Sequence, residues 1–147
     1  MINITPMTSD HVPYIAELEK VCFSDPWSEN SIAYELTNPL SFWLVAMDGD
    51  KLVGYVGSQA VLDSADMMNI AVAPSHRRQG IARRLVSALV EQLKIKDVRM
   101  LLLEVRVSND AARALYEEMG FVAAGKRPGY YTNPKEDALI LRKEWSV

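Results

Sequence analysis

The stretch from Met67 to Val107 constrains this chain more than any other. It reads as a strand (67–73) stopped by Pro74, a polar loop, a helix (81–93) and a second strand (98–107). Two strands joined by a helical crossover lie parallel in one sheet, with the helix packed on a face. Ile81, Leu85, Leu89 and Leu93 recur every four residues, so the helix has one apolar stripe to bury. The second strand carries Leu101, Leu102, Leu103 and Val105 and reads as buried in the middle of the sheet.

The flanking segments add elements of the other kind. Residues 2–5 read as a short strand. Residues 9–22 read as a helix with Val12, Ile15, Leu18 and Cys22 at helical spacing. Thr8 or Ser9 can cap it, and Pro13 fits only in its first turn. Ser28 is the expected cap of a helix running to about Leu36, ended by Asn38-Pro39. Residues 42–48 and 51–62 form a hairpin around Asp48-Gly49-Asp50. Residues 63–66 read as a turn. A helix over 109–119 closes on Gly120 at its C′ position, and strands over 121–126 and 138–142 follow. The expected fold class is mixed α/β (α+β): a mostly antiparallel sheet of six to seven strands with one parallel pair, flanked by about four helices. At 147 residues, with no repeat and no linker, one domain over 1–147 is expected.

Composition excludes several classes. Hydrophobic residues make up 49% and charged residues 24%, which removes disordered and fibrous chains. One cysteine (Cys22) and two scattered histidines (His11, His76) are too few for a zinc site, so no metal is expected. Sixteen basic against nineteen acidic side chains argue against a general nucleic-acid binder. No apolar run reaches the ~20 residues of a membrane helix, and the N-terminus lacks signal-peptide character. A reducing cytoplasm is the expected location.

Three features could carry chemistry. The loop Ser75-His76-Arg77-Arg78-Gln79-Gly80 precedes the helix that begins Ile81-Ala82, and small residues there leave the first-turn N–H groups accessible. With the positive helix end behind them, that is an anion site of the pyrophosphate type; the alternative is a basic turn before an ordinary helix. Glu104 interrupts the hydrophobic strand, where an unpaired carboxylate is costly. It is either a base facing a wet cleft or half of an ion pair with Arg106 or Arg99. Tyr116 lies beside the inward stripe Ala112, Leu115 and Met119, either as a core residue or as a proton donor at a cleft edge. The aromatic segments Phe23–Trp27 and Tyr130-Tyr131 read as loops that cover a core end or touch a substrate. Cys22 reads as inert packing.

Arg77-Arg78-Gln79-Gly80-Ile81-Ala82 resembles the Arg/Gln-x-x-Gly-x-Gly/Ala signature of the GCN5-related N-acetyltransferases. Asn109-x-x-Ala112-x-x-Leu115-Tyr116-x-x-x-Gly120-Phe121 resembles that family's second motif, and Ala82 in place of glycine is a mild departure. Pro26-Trp27-Ser28, Asn69-Ile70-Ala71-Val72, Leu103-Glu104-Val105-Arg106 with Ser108-Asn109, and Tyr130-Tyr131 with Glu136-Asp137-Ala138 are similar to its ribosomal-protein-alanine branch.

The resemblance implies the family's fold and acetyl-CoA as co-substrate. The implied acceptor is the N-terminal alanine of a small-subunit ribosomal protein. It implies that Ile70, Ala71 and Val72 present backbone to the pantetheine arm in a gap between the splayed parallel strands. It implies that Arg77, Arg78, Gln79, Gly80, Ile81 and Ala82 cradle the pyrophosphate and that Asn109 bonds the cofactor. Glu104 would be general base, Tyr116 general acid, and Trp27, Tyr130 and Tyr131 would line the acceptor groove. A small-amine acetyltransferase and a non-catalytic acyl-CoA-binding module are the competing readings.

Overall fold

The computed structural model describes residues 1–146. The elements follow the expected order: β1 (Ile2–Pro6), α1 (Val12–Cys22), α2 (Glu29–Glu35), β2 (Ser41–Asp48), β3 (Lys51–Val61), β4 (Ser64–Val72), α3 (Ile81–Ile95), β5 (Met100–Arg106), α4 (Asp110–Glu118), β6 (Val122–Tyr131) and β7 (Glu136–Glu144). All seven strands join one sheet in the order β1-β2-β3-β4-β5-β7-β6. Among the described residues only β4 and β5 pair in parallel, so the fold is the mixed α+β architecture that the crossover requires.

Local signals set the helix ends. Ser28 caps α2 by accepting from the Ser31 N–H at 3.1 Å, and Asn109 caps α4 by accepting from the Ala112 N–H at 3.2 Å. Pro13 sits in the first turn of α1, where its missing N–H costs nothing. Gly120 follows α4 with φ +92°, a left-handed stop.

Alternation along the strands divides the core between two faces. On one face Leu44, Ala46, Val56, Leu101, Leu103 and Val105 pack with Ile81, Leu85, Leu89 and Leu93 of α3 and with Tyr116 and Phe121. On the other, Trp43, Val45, Tyr55 and Ala71 pack with Val12, Ile15, Ala16 and Leu18 of α1 and Ile32 of α2.

Three expectations need correction. The turn after β3 is at Leu62-Asp63, not over 63–66, and β4 begins three residues earlier than read. Ladder pairs Val61↔Ser64 and Ala60↔Ala65 extend the hairpin, forcing Leu62 to φ +57° while it stands 92% exposed. The strands read at 121–126 and 138–142 are longer, because β7 is sandwiched between β5 and β6 and pairs along its length with both. Tyr130 and Tyr131 therefore end a strand rather than lie in a loop. Finally, β5 is not buried on both faces. Leu101, Leu103 and Val105 are buried, while Leu102, Glu104 and Arg106 are only partly covered.

Pairing between β4 and β5 positions the site. It holds for Ser64↔Met100, Ala65↔Leu101 and Asp66↔Leu102, and then stops. Beyond it, Met67–Val72 and Leu103–Arg106 diverge, and the gap between them opens a cleft of about 1160 Å³.

Candidate active site

Every residue expected to act in catalysis or to bind co-substrate or acceptor, except Gln79, lines this cleft. Its floor is the free edge of β4. The Ala73 N–H donates to the Val53 carbonyl at 2.7 Å, and alternate residues of an antiparallel strand turn their N–H groups to opposite sides. Ile70 and Val72 therefore turn theirs toward the gap. That of Ile70 is taken by the Asn69 side chain, whose Oδ1 accepts it at 3.0 Å. That of Val72 remains facing the cleft.

The loop before α3 forms one end. Arg78 (φ +64°) and Gly80 (φ +78°) both adopt left-handed backbone, and Gly80 occupies the N-cap position of α3. A Cβ on Gly80 would meet nothing within 4 Å, so the position opens onto free space. The first bond inside the helix is Arg84 N–H to the Gly80 carbonyl at 3.1 Å. Ile81, Ala82 and Arg83 precede it, so their N–H groups have no acceptor within the helix. The Arg77 side chain turns back to β4: its Nε donates to the Val72 carbonyl at 3.2 Å and Nη2 lies 3.5 Å from Cys22 Sγ. Cys22, expected as core packing, is only half-buried and lines the cleft.

Glu104 projects from the open face of β5. Its side chain is 29% exposed, with Arg127 Nε 3.5 Å from Oε2. Neither Arg106 nor Arg99 is its partner. Arg106 is drawn instead to Glu136 at 3.3 Å and to the Pro134 and Thr132 carbonyls at 2.9 and 3.1 Å. The Arg127 contact is an ion pair without hydrogen-bond geometry: Glu104 Oε2 is buried and accepts no hydrogen bond.

Tyr116 is buried, edge-on to Phe121 at 5.5 Å, and reaches the cleft from α4. Burial, helped by the nearby Tyr131, pushes its phenol up to about 12. It therefore keeps its proton throughout the neutral range. Burial, then the Glu104 charge, raises Tyr131 to about 12, and burial, then the interaction of its hydroxyl with the Glu104 carboxylate, raises Tyr130.

The two loops over the cleft are tied together. Ser24 Oγ donates to the Asn133 carbonyl at 3.2 Å. The Arg106 guanidinium stacks on the Tyr131 ring at 4.4 Å. Glu136 accepts from the Ser108 N–H at 2.7 Å, and hydrogen bonding from the Ser108 side chain, then its backbone and Arg106, holds its carboxyl below the usual range.

A model of the acetyltransferase (GNAT) family matches residues 12–121. This chain belongs to that family. It is 37% identical over 143 residues to the ribosomal protein bS18-alanine N-acetyltransferase of Escherichia coli (strain K12), covering 96% of each chain. The crystal structure of the ribosomal-protein-S18-alanine N-acetyltransferase from Escherichia coli matches with a TM-score of 0.92 at 36% identity, over 100% of this chain and 96% of that one. At 18% identity the fold is also that of Arabidopsis thaliana NAA60, solved with acetyl-CoA, with a TM-score of 0.88 over 98% of each chain.

Within this GNAT fold, residue-by-residue reading missed Glu19 and the role of Asn69. Glu19 is 1% exposed, and its two oxygens accept from the Trp27 N–H at 2.8 Å and from Asn69 Nδ2 at 2.7 Å. Burial pushes its carboxyl up to about 7, against the opposing Trp27 bond. The signal was present: Glu19 interrupts the apolar stripe of α1, four residues from Ile15 and three from Cys22.

Proposed function

We propose that this chain is an acetyl-CoA-dependent N-acetyltransferase acting on a protein N-terminal α-amine, that of the N-terminal alanine of a small-subunit ribosomal protein. A single acetyltransferase domain spans 1–147, and the cytoplasm, where such an acceptor is made, is its place of action.

The reading rests on Glu104, which lines a cleft that α3 caps with free N–H groups and whose Oε2 has the Arg127 charge at 3.5 Å beside it but accepts no hydrogen bond. A buried carboxylate oxygen left without a hydrogen bond is costly unless a ligand supplies the missing donor. An α-ammonium is such a donor.

The rest of the cleft fits the co-substrate. The loop ending in Gly80 and the first turn of α3 suit a pyrophosphate, through N–H groups and the positive helix end. Arg78 lies on that rim, while Arg77 serves by holding the Val72 carbonyl. Asn109 spends Oδ1 on its cap and keeps its amide N–H₂ for the cofactor. Ile70, Ala71 and Val72 offer backbone along the gap. Acetyl-CoA supplies an acyl group activated as a thioester.

Glu104 does the base's work. The α-amine has a pKa of roughly 7.7–8.0, so at neutral pH it is mostly the non-nucleophilic ammonium. Glu104 accepts its proton, directly or through one water. The Val72 N–H faces the point where negative charge develops. The freed amine attacks the thioester carbonyl, the C–N bond forms and the C–S bond breaks; Tyr116, still protonated, gives a proton to the departing thiolate, and the second proton shed by the new amide nitrogen restores the phenol. Trp27, Tyr130 and Tyr131 wall the entrance for the acceptor chain.

The test is thiol release with an alanine-starting peptide of ribosomal-protein sequence against spermidine and free lysine. Faster turnover of the peptide is expected. Faster turnover of spermidine would favour the small-amine reading, and binding of acetyl-CoA with no turnover of any amine would favour a non-catalytic module.

A further inference from the structure

Glu19 takes no part in the chemistry above, yet it is the most completely enclosed carboxylate described here. It sits on α1, below the cleft rather than in it. Each of its oxygens holds one donor, and each donor belongs to a different wall. The Trp27 N–H starts the segment whose indole lines the acceptor side and packs edge-on to Trp43 at 5.4 Å. Asn69 Nδ2 belongs to the irregular stretch of β4, where Gly57 pairs with Asn69 but Ser58 with Met67, leaving Met68 as the extra residue.

Asn69 passes the constraint on. With Nδ2 fixed on Glu19, Oδ1 is turned to the Ile70 N–H. That removes one of the two donors that β4 aims at the gap and leaves the Val72 N–H. The chain Trp27–Glu19–Asn69–Ile70 thus spans from the acceptor wall to the strand edge in three hydrogen bonds, all 3.0 Å or shorter.

We infer that Glu19 is a positioning residue for the acceptor: by holding Trp27 and Asn69 together it registers the acceptor wall against the β4 edge. The inference rests on the acetyltransferase reading of the cleft, but the three-bond tie itself does not.

Glu19→Gln is the probe, because it keeps shape and removes one acceptor. A glutamine offers one oxygen and one N–H₂, so it cannot serve two donors whichever way its amide lies. One bond is lost, and the KM for an alanine-starting peptide should rise on the order of tenfold. The KM for acetyl-CoA should rise less than that of the peptide, since the tie reaches the co-substrate only at Ile70 and not at the loop before α3. Adding Asn69→Asp to Glu19→Gln reverses the polarity of the bond between these two positions and keeps the other: the glutamine N–H₂ donates to the new carboxylate, and its oxygen still accepts from Trp27. The double variant should recover most of the peptide KM lost in Glu19→Gln.

Hydrogen exchange supplies a readout independent of turnover. Glu19→Gln should speed exchange at the Trp27 and Ile70 amides and leave α3 unchanged. Unaltered exchange at both amides overturns the tie. A loss that raises both KM values equally, or that the double variant fails to recover, overturns the positioning role in favour of a purely structural one. If the wild type acetylates no N-terminal peptide, the acetyltransferase reading fails and the acceptor role with it.

Discussion

Replacing Glu104 by glutamine separates proton removal from everything else the cleft does. The substitution keeps side-chain volume and leaves the β5 ladder, including the pairing of Glu104 with Ile140, undisturbed. What it removes in the ground state is the charge facing Arg127 at 3.5 Å, in a pair whose arginine is 56% exposed. Such pairs contribute about 1 kcal/mol or less, so Tm should move by only about 2–4 °C. Loss of a general base costs about 10²–10⁴ in rate, equivalent to roughly 3–5 kcal/mol of barrier. Part of that cost depends on pH in a calculable way. With an α-amine pKa of roughly 7.7–8.0, about a tenth to a sixth of the acceptor is already free amine at pH 7, and more than about nine-tenths at pH 9. Glu104→Gln should therefore regain about five- to tenfold in kcat/KM over that interval, relative to wild type. The Tyr116 phenol, pushed up to about 12, stays protonated across the whole window and does not obscure the recovery. The assay is thiol release at saturating acetyl-CoA with an alanine-starting peptide. Near-wild-type kcat at pH 7 would refute the base assignment and leave Glu104 as the ion-pair partner of Arg127. A large defect that is flat in pH would show that Glu104 positions the amine without deprotonating it.

Two further substitutions probe the other roles. Tyr116→Phe keeps the edge-on packing against Phe121 and removes only the hydroxyl; kcat should fall on the order of 10²–10⁴-fold while Tm and acetyl-CoA binding hold, and an unchanged kcat would strip Tyr116 of the acid role. Gly80→Val places a β-branched side chain at φ +78° in space the protein leaves open; the left-handed strain of about 1–2 kcal/mol, added to the obstructed rim, should raise the KM for acetyl-CoA about tenfold or more with the peptide KM little changed, and an unaltered acetyl-CoA affinity by calorimetry would move the anion site elsewhere.

The parts of the fold legible in the sequence were those decided locally. The α3 stripe, the Ser28 and Asn109 caps and the Gly120 stop each follow from neighbouring residues. What long-range pairing decides was not legible. Leu62 has no turn propensity, and only the ladder between β3 and β4 places it at the tip of a hairpin. The partner of Glu104 is a clearer case. Arg106 is two residues away and on the same face of β5, so sequence spacing favours it. The sheet order puts Ala138 of β7 opposite both Arg106 on β5 and Arg127 on β6. Glu136 and the carbonyls beyond it then claim Arg106, leaving Arg127 for Glu104. No spacing rule within β5 contains that information.

The same limit explains why one buried carboxylate stood out and the other did not. Glu104 and Glu19 both interrupt apolar patterns, where a carboxylate is costly unless it is paired. A reading from periodicity treats them alike, and by burial alone Glu19, 1% exposed against 29%, is the stronger anomaly. The structure separates them by satisfaction rather than depth. Glu19 has a donor on each oxygen, so nothing is left for a ligand to supply, and its leverage lies in what it holds together. Glu104 has one oxygen with no hydrogen bond, at the edge of a cleft large enough for a substrate. A carboxylate that lines a cavity with an oxygen unsatisfied can take up a further donor; a saturated one fixes geometry. The two substitutions should therefore fail differently: Glu104→Gln in kcat with partial recovery at high pH, and Glu19→Gln in the KM of the acceptor, with recovery only from the polarity-reversing partner change at Asn69.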